Sequence, residues 1–224
     1  MNSIAGNIKT LLEQLPVKVQ VVAVSKMRDA GEVIEAYNAG LRTFGENRVQ
    51  EMAAKKAVLP GDITWHLIGH LQSNKVKLAV DAASMIESVD SLRILGMIDK
   101  EAARQEKTVD CLLQVHIASE ETKTGFTIGE IEETDWAATA ASLEAVRICG
   151  LMGMASLTDD MDNVRSEFKT LASLFKKLRG RYFSDYGWFT EISMGMSGDW
   201  KIAVEEGSTM IRVGTLIFGE RTRK

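Results

Sequence analysis

The chain has 224 residues, 45% hydrophobic and 26% charged, and its 27 Lys and Arg against 31 Asp and Glu leave a net charge of −4. This composition excludes a disordered chain and supplies a sizeable core. With no basic surplus, bulk charge cannot drive binding to nucleic acid or an acidic membrane.

Residues 1–16 predict an N-terminal helix: Ile4, Ile8, Leu11, Leu12 and Leu15 recur at helical spacing, and Pro16 must end it. Strand-like runs follow at 19–24, 43–45, 64–68, 84–88, 110–117, 146–152, 188–193 and 210–213. Helical patterns lie between them, among them Leu92, Leu95, Ile98 and Ala102, and the stripe Val164, Phe168, Leu171, Leu174, Phe175 and Leu178. Strands alternating with helices imply parallel pairing through right-handed crossovers. Eight such units in this length predict an α/β fold, a single (β/α)8 TIM barrel over 1–224 with an extra N-terminal helix. The rival is an open doubly wound sheet, but neither GxGxxG nor GxxxxGK[ST] supports a nucleotide-binding version. The longest apolar runs, such as residues 21–24, fall far short of a membrane span, and the first residues lack a signal peptide's apolar stretch. Two cysteines, Cys111 and Cys149, make neither a disulfide framework nor a CxxC pair and read as inert buried thiols. The expected location is the cytoplasm.

In a barrel of this kind, chemistry sits at the C-terminal ends of the strands. The unusual residues cluster there: Lys26, Glu46-Asn47, His66 and Gly69, Ser88, His116, Met152 and Met154, Ser193-Met-Gly-Met-Ser197, and Arg212-Val-Gly-Thr215. Lys26 ends an apolar strand, where burial or a nearby cation would make its amine a Schiff-base nucleophile; a solvated loop lysine is the plain alternative. The segments after strands 7 and 8 occupy the usual place of a barrel phosphate site. Ser197-Gly-Asp precedes a helical pattern whose N–H groups and dipole would face an anion, and Gly214 and Thr215 add close backbone approach and a hydroxyl. Plainer readings stand beside these: Ser197 as an N-cap, Gly214 as a tight turn, Arg212 in an ordinary salt bridge, and Asn47 with Gln50 as a capping box. His66 and His70 stand four apart, but without the HExxH glutamate they do not read as metal ligands, and His66 and His116 read as core or mouth histidines. Met152, Met154, Met194 and Met196 read as packing first and ligand walls second. The acidic stretches 130–135 and 159–162 read as solvated helix starts.

These motifs resemble a known family. Ala23-Val-Ser-Lys26, Phe44-Gly-Glu-Asn47 with Gln50-Glu51, and Trp65-His-Leu-Ile-Gly69 with Leu71-Gln-Ser-Asn-Lys75 are similar to those of the pyridoxal phosphate homeostasis proteins. So are Gly150-Leu-Met152, Ser193-Met-Gly-Met-Ser-Gly-Asp199, and Ile211-Arg-Val-Gly-Thr215 with Phe218-Gly219, in the same order over nearly the whole chain. The resemblance implies a barrel like that of the alanine racemase N-terminal domain, binding pyridoxal 5′-phosphate (PLP) as a Schiff base on Lys26. It implies that Ser197, Gly214 and Thr215 hold the phosphate, that Arg212 lies against the pyridine nitrogen, and that Asn47, His66, Met194 and Met196 line the pocket. Two positions depart from the family: Asp29 stands where a proline is usual, and His116 where an asparagine is usual.

Racemisation in the related enzymes draws a second base, a tyrosine, from an additional β domain. This chain ends at Arg221-Thr-Arg-Lys224, and Tyr37, Tyr182 and Tyr186 fall in a helix and in the loop before strand 7. The expectation is a PLP carrier with little or no turnover, no catalytic residue and no metal, a monomer whose partners are the cofactor and PLP-dependent apo-enzymes. A PLP-dependent racemase or lyase is the second reading, and a Schiff-base aldolase acting on a sugar phosphate the third.

Overall fold

A computed structural model describes residues 3–119 and 124–220. The Ser3 hydroxyl accepts the Gly6 N–H at 3.1 Å and starts helix α1 (Ile4–Gln14), which buries Ile8 and Leu11. Residues 1 and 2 of the expected 1–16 helix, and the 221–224 tail, lie outside the described residues. Leu12 differs from expectation: a step of about 100° beyond Leu11 carries it to the outer side of the helix, where it is 46% exposed.

From there strands and helices alternate. In chain order they are β1 (Gln20–Val24), α2 (Ala30–Asn38), β2 (Thr43–Glu46), α3 (Val49–Lys56), β3 (Thr64–Leu67), a 3₁₀ turn (Ser73–Lys75), α4 (Val76–Ala82), β4 (Met85–Val89) and α5 (Leu92–Arg104). The second half holds β5 (Val109–Val115), α6 (Ile128–Glu133), α7 (Trp136–Ser142), β6 (Val146–Gly153), α8 (Met161–Arg181), β7 (Glu191–Ser193), α9 (Trp200–Glu205), β8 (Met210–Val213) and α10 (Thr215–Phe218). Each strand pairs in parallel with the next, and β8 closes on β1 with Val22 opposite Arg212. The eight-stranded closed barrel is the expected fold, and the open-sheet rival is excluded.

Alternation along each strand sorts the side chains. On β5, Cys111, Leu113 and Val115 join the core shared with the helices, while Leu112 packs with Cys149 and Met152 in a separate interior cluster. Burial pushes the Cys149 thiol up to about 12 and the Cys111 thiol well above its ordinary range, which suits inert thiols. Helix α8 buries the expected stripe from Val164 to Leu178. Asp135 and Asp160, from the acidic stretches read as helix starts, cap α7 and α8, while α6 is capped by Thr127, outside those stretches, with Glu130 completing its capping box.

At Gly150 the β5–β6 register shifts, and φ is +154°. A Cβ there would stand 1.8 Å from the Glu191 carbonyl oxygen on β7, so only glycine lets the two strands pair. Asp29 has a use of its own. Its carboxylate accepts the Glu32 N–H at 2.9 Å, and the Glu32 carboxylate accepts the Asp29 N–H at 3.1 Å, a capping box that a proline could not complete. Among the described residues, no helix is long and apolar enough to cross a membrane.

Candidate functional site

Strand β1 ends at Val24, and the Ser25 N–H extends its pairing by donating to the Gly45 carbonyl at 3.0 Å. The Arg28 N–H then donates to the Ser25 carbonyl at 3.0 Å, closing a turn that holds Lys26, half-buried, above the strand. A cavity of about 350 Å³ opens at this end of the barrel. Lys26 and Arg28 line it from the turn, Asn47 and Ile68 from the loops after β2 and β3, and Met154 and Leu157 from the loop after β6. Met196, Ser197 and Gly198 after β7, with Arg212, Gly214 and Thr215 at β8, complete the wall. Asn47 comes close because Gly69 has no side chain: a Cβ on Gly69 would stand 2.3 Å from the Asn47 carbonyl oxygen.

The chemistry of the lining is one-sided. It offers an amine, two guanidinium groups and two hydroxyls, and no carboxylate among the described lining residues. Two of the cations are backed by carboxylates outside the lining, Arg28 by Glu32 and Arg212 by Glu87, and the donor groups left along the wall suit an anion of small-ligand size. Arg28 is held by Glu32 at 2.9 Å and by the Gly219 carbonyl, with its guanidinium 5.6 Å from the Phe218 ring centroid. The Gly214 N–H donates to the Ser197 hydroxyl at 3.4 Å, joining the two loops after β7 and β8.

A chain of hydrogen bonds crosses the barrel behind the cavity. Arg212 donates from Nη1 to the Ser193 hydroxyl at 2.5 Å and from Nη2 to the Gly153 carbonyl at 2.9 Å. Ser193 donates to Glu87 Oε2 at 2.5 Å, and His66 Nδ1 meets Glu87 Oε1 at 2.7 Å. All four side chains are buried. Burial works to raise the Glu87 carboxyl, but the His66 hydrogen bond and charge, the Arg212 charge and the Ser193 hydroxyl outweigh it and hold the group below its ordinary value. Burial lowers Arg212 from its ordinary value against the opposing pull of Glu87. Arg212 thus enters the cavity with its counter-ion fixed behind it.

Of the residues singled out from the sequence, Lys26, Asn47, Met196, Ser197, Arg212, Gly214 and Thr215 share this cavity. His66 and Met194 do not line it. His66 reaches Arg212 only by way of Glu87, which meets the guanidinium through Ser193 and at 3.7 Å directly, and Met194 is fully buried in the barrel–helix core. His116, half-buried just beyond β5, is also outside the lining. Two plain readings fall away. The N-cap of α3 is Arg48, without a side-chain cap, so Asn47 and Gln50 form no capping box. The N-cap of α9 is Asp199, whose carboxylate accepts the Met196 N–H at 2.5 Å, so Ser197 is not the cap. Arg28 and Glu87 escaped the sequence reading. A glutamate inside the apolar run Met85-Ile-Glu-Ser-Val89 was the available signal for Glu87; Arg28, in an ordinary loop, carried none.

Comparison with known proteins agrees with this geometry. The alanine racemase N-terminal domain family matches residues 1–222. The pyridoxal phosphate homeostasis protein of Synechocystis sp. is 37% identical over 216 residues, covering 94% of this chain and 95% of that protein. Two structures of PipY from Synechococcus elongatus, without PLP and with PLP bound, superpose with TM-scores of 0.91 and 0.87 at 40% and 39% identity; each match covers 97% of this chain and 100% of the other.

Proposed function

The chain belongs to the alanine racemase N-terminal domain family and, within it, to the pyridoxal phosphate homeostasis proteins. From that premise we propose that its mouth cavity binds PLP and that Lys26 holds the cofactor as a Schiff base, in reserve for PLP-dependent apo-enzymes and with little or no turnover. The observation that carries this reading is the lining: Lys26, Arg28 and Arg212 with the Ser197 and Thr215 hydroxyls, and no carboxylate among the described residues. A phosphate ester, near two negative charges at neutral pH, suits that set. Ser197, Gly214 and Thr215 hold the phosphate, Arg212 lies against the ring nitrogen, and Asn47 and Met196 flank the ring. His66 acts from behind Arg212, and Met194 supports the loop after β7 from the core. Lys26 is the residue that would hold the aldehyde, its amine nitrogen replacing the carbonyl oxygen, which would leave as water, so no redox partner would be needed.

Bound PLP supplies an electron sink for carbanion chemistry, strongest when its ring nitrogen is protonated beside a carboxylate. Arg212 places a cation there instead. A second base is also missing from the described lining. Tyr37 donates to Asp62 at 2.8 Å, and Tyr182 and Tyr186 pack against the core before β7, so no tyrosine reaches the cavity. We place the protein in the cytoplasm as a monomer. PLP titration of the purified protein is expected to produce a visible absorption band that Lys26→Ala abolishes; a band retained in full by the variant contradicts the assignment. Sustained formation of D-alanine from L-alanine would favour the racemase reading instead.

A further inference from the structure

We infer that a charge cluster beside the first strand, the buried Glu46 and Lys55 with the half-buried Glu51, is a positioning device that fixes the backbone on both sides of Lys26. This rests on the reading of Lys26 as the Schiff-base lysine. Lys55 lies on α3, with its side chain 9% exposed, and directs its ammonium away from solvent. It donates to Glu46 Oε1 at 2.6 Å, to Glu51 Oε1 at 2.8 Å and to the Ser25 carbonyl at 2.7 Å. Those three acceptors use all three ammonium hydrogens. The Ser25 hydroxyl donates to the same Glu46 Oε1 at 2.6 Å. On the far side of Lys26, the Met27 N–H donates to Glu51 Oε1 at 2.6 Å.

Residues 25 and 27 are therefore both tied to one cluster, and Lys26 is the residue between them. A staple between α3 and β2 would need only the Lys55–Glu46 pair. The bonds to Ser25 and Met27 reach a different segment, the turn after β1. That turn also requires support, because Met27 has φ +61°, in the left-handed region that a residue with a Cβ adopts at a cost. Glu51 supplies it by accepting the Met27 N–H. Glu46, fully buried, commits one oxygen to Ser25 and Lys55, and its Oε2 has no hydrogen-bond partner. None of the three charged residues lines the cavity, so the cluster acts on the ligand by placing residues that do, above all Lys26 between its two tethered neighbours. A misplacement of about 1 Å in a reacting group can cost on the order of a hundredfold in rate.

The test compares Glu51→Ala, which removes the acceptor for Met27, with Glu51→Gln, which keeps it. The probes are PLP, trapped with borohydride and timed, and pyridoxamine 5′-phosphate, which has no aldehyde and reports binding alone. Glu51→Ala is expected to slow trapping at Lys26 by about tenfold, leave pyridoxamine phosphate affinity within about twofold, and speed hydrogen exchange of the Met27 amide in the protein without ligand. Glu51→Gln restores the trapping rate. Wild-type trapping in Glu51→Ala overturns the inference, as does parallel loss of trapping and of pyridoxamine phosphate binding, which marks a merely structural role. If the wild-type protein is never labelled at Lys26, the functional reading fails by itself. The Met27 amide then decides for the cluster: faster exchange in Glu51→Ala upholds it, and unchanged exchange overturns it.

Discussion

Arg212 is buried and charged, and a bare guanidinium in that position would cost several kcal/mol. Glu87 offsets the cost from β4, through Ser193 and at 3.7 Å directly. Replacing Glu87 with Gln keeps the shape and removes the counter-ion, for an expected loss of about 3 kcal/mol at neutral pH. Because the Glu87 carboxyl is held below its ordinary value, its contribution is full above about pH 4.3 and is lost as pH falls through the depressed value. The gap between wild type and Glu87→Gln in urea midpoint should therefore narrow below about pH 4; a gap constant with pH contradicts the ion pairing. This network was poorly legible in the sequence because its members are far apart in the chain and only barrel closure brings them together. Lys26, Ser197 and Thr215 were legible because each sits at a strand end, where chain order alone predicts a place at the mouth. His66 and Met194, also at strand ends, show the limit: position gives the end of the barrel, not whether a side chain reaches the ligand or supports one that does.

Strands buried on both faces tend to read as apolar runs, and each of the eight expected runs overlaps a strand of the closed barrel, though of 188–193 only Glu191–Ser193 pairs and of 110–117 the strand stops at Val115. Short helices were less legible. The starts of α3 and α9 lie at Arg48 and Asp199 rather than at the residues whose side chains suggested caps, because Asn47 is drawn into the cavity wall and Ser197 meets Gly214 instead. Gly150 gives the sharpest test at this scale. With a Cβ 1.8 Å from the Glu191 carbonyl, Gly150→Ala must push β6 and β7 apart, a backbone clash expected to cost about 4 kcal/mol or more. Thermal unfolding should show a large drop in midpoint, and a variant that melts with the wild type contradicts the pairing described.

At the scale of the molecule, closure of the barrel leaves none of the eight strands with an open edge, which removes the commonest template for association through sheets. The proposed monomer predicts a light-scattering mass near the chain's 24.7 kDa; a mass of twice that value contradicts it. The chain as a whole carries a net charge of −4, while the described lining of the mouth holds three basic side chains and no carboxylate. Composition could not reveal that contrast, since it averages over the chain what the fold segregates. A basic cavity in an acidic protein suits a small anionic cofactor better than an extended polyanion.

Soaking the protein in PLP, reducing it with borohydride and mapping the modified peptides by mass tests the proposed bond to Lys26 directly. A stable phosphopyridoxyl group on Lys26 is the expected product; label scattered over surface lysines with Lys26 unmodified would contradict the assignment of that lysine.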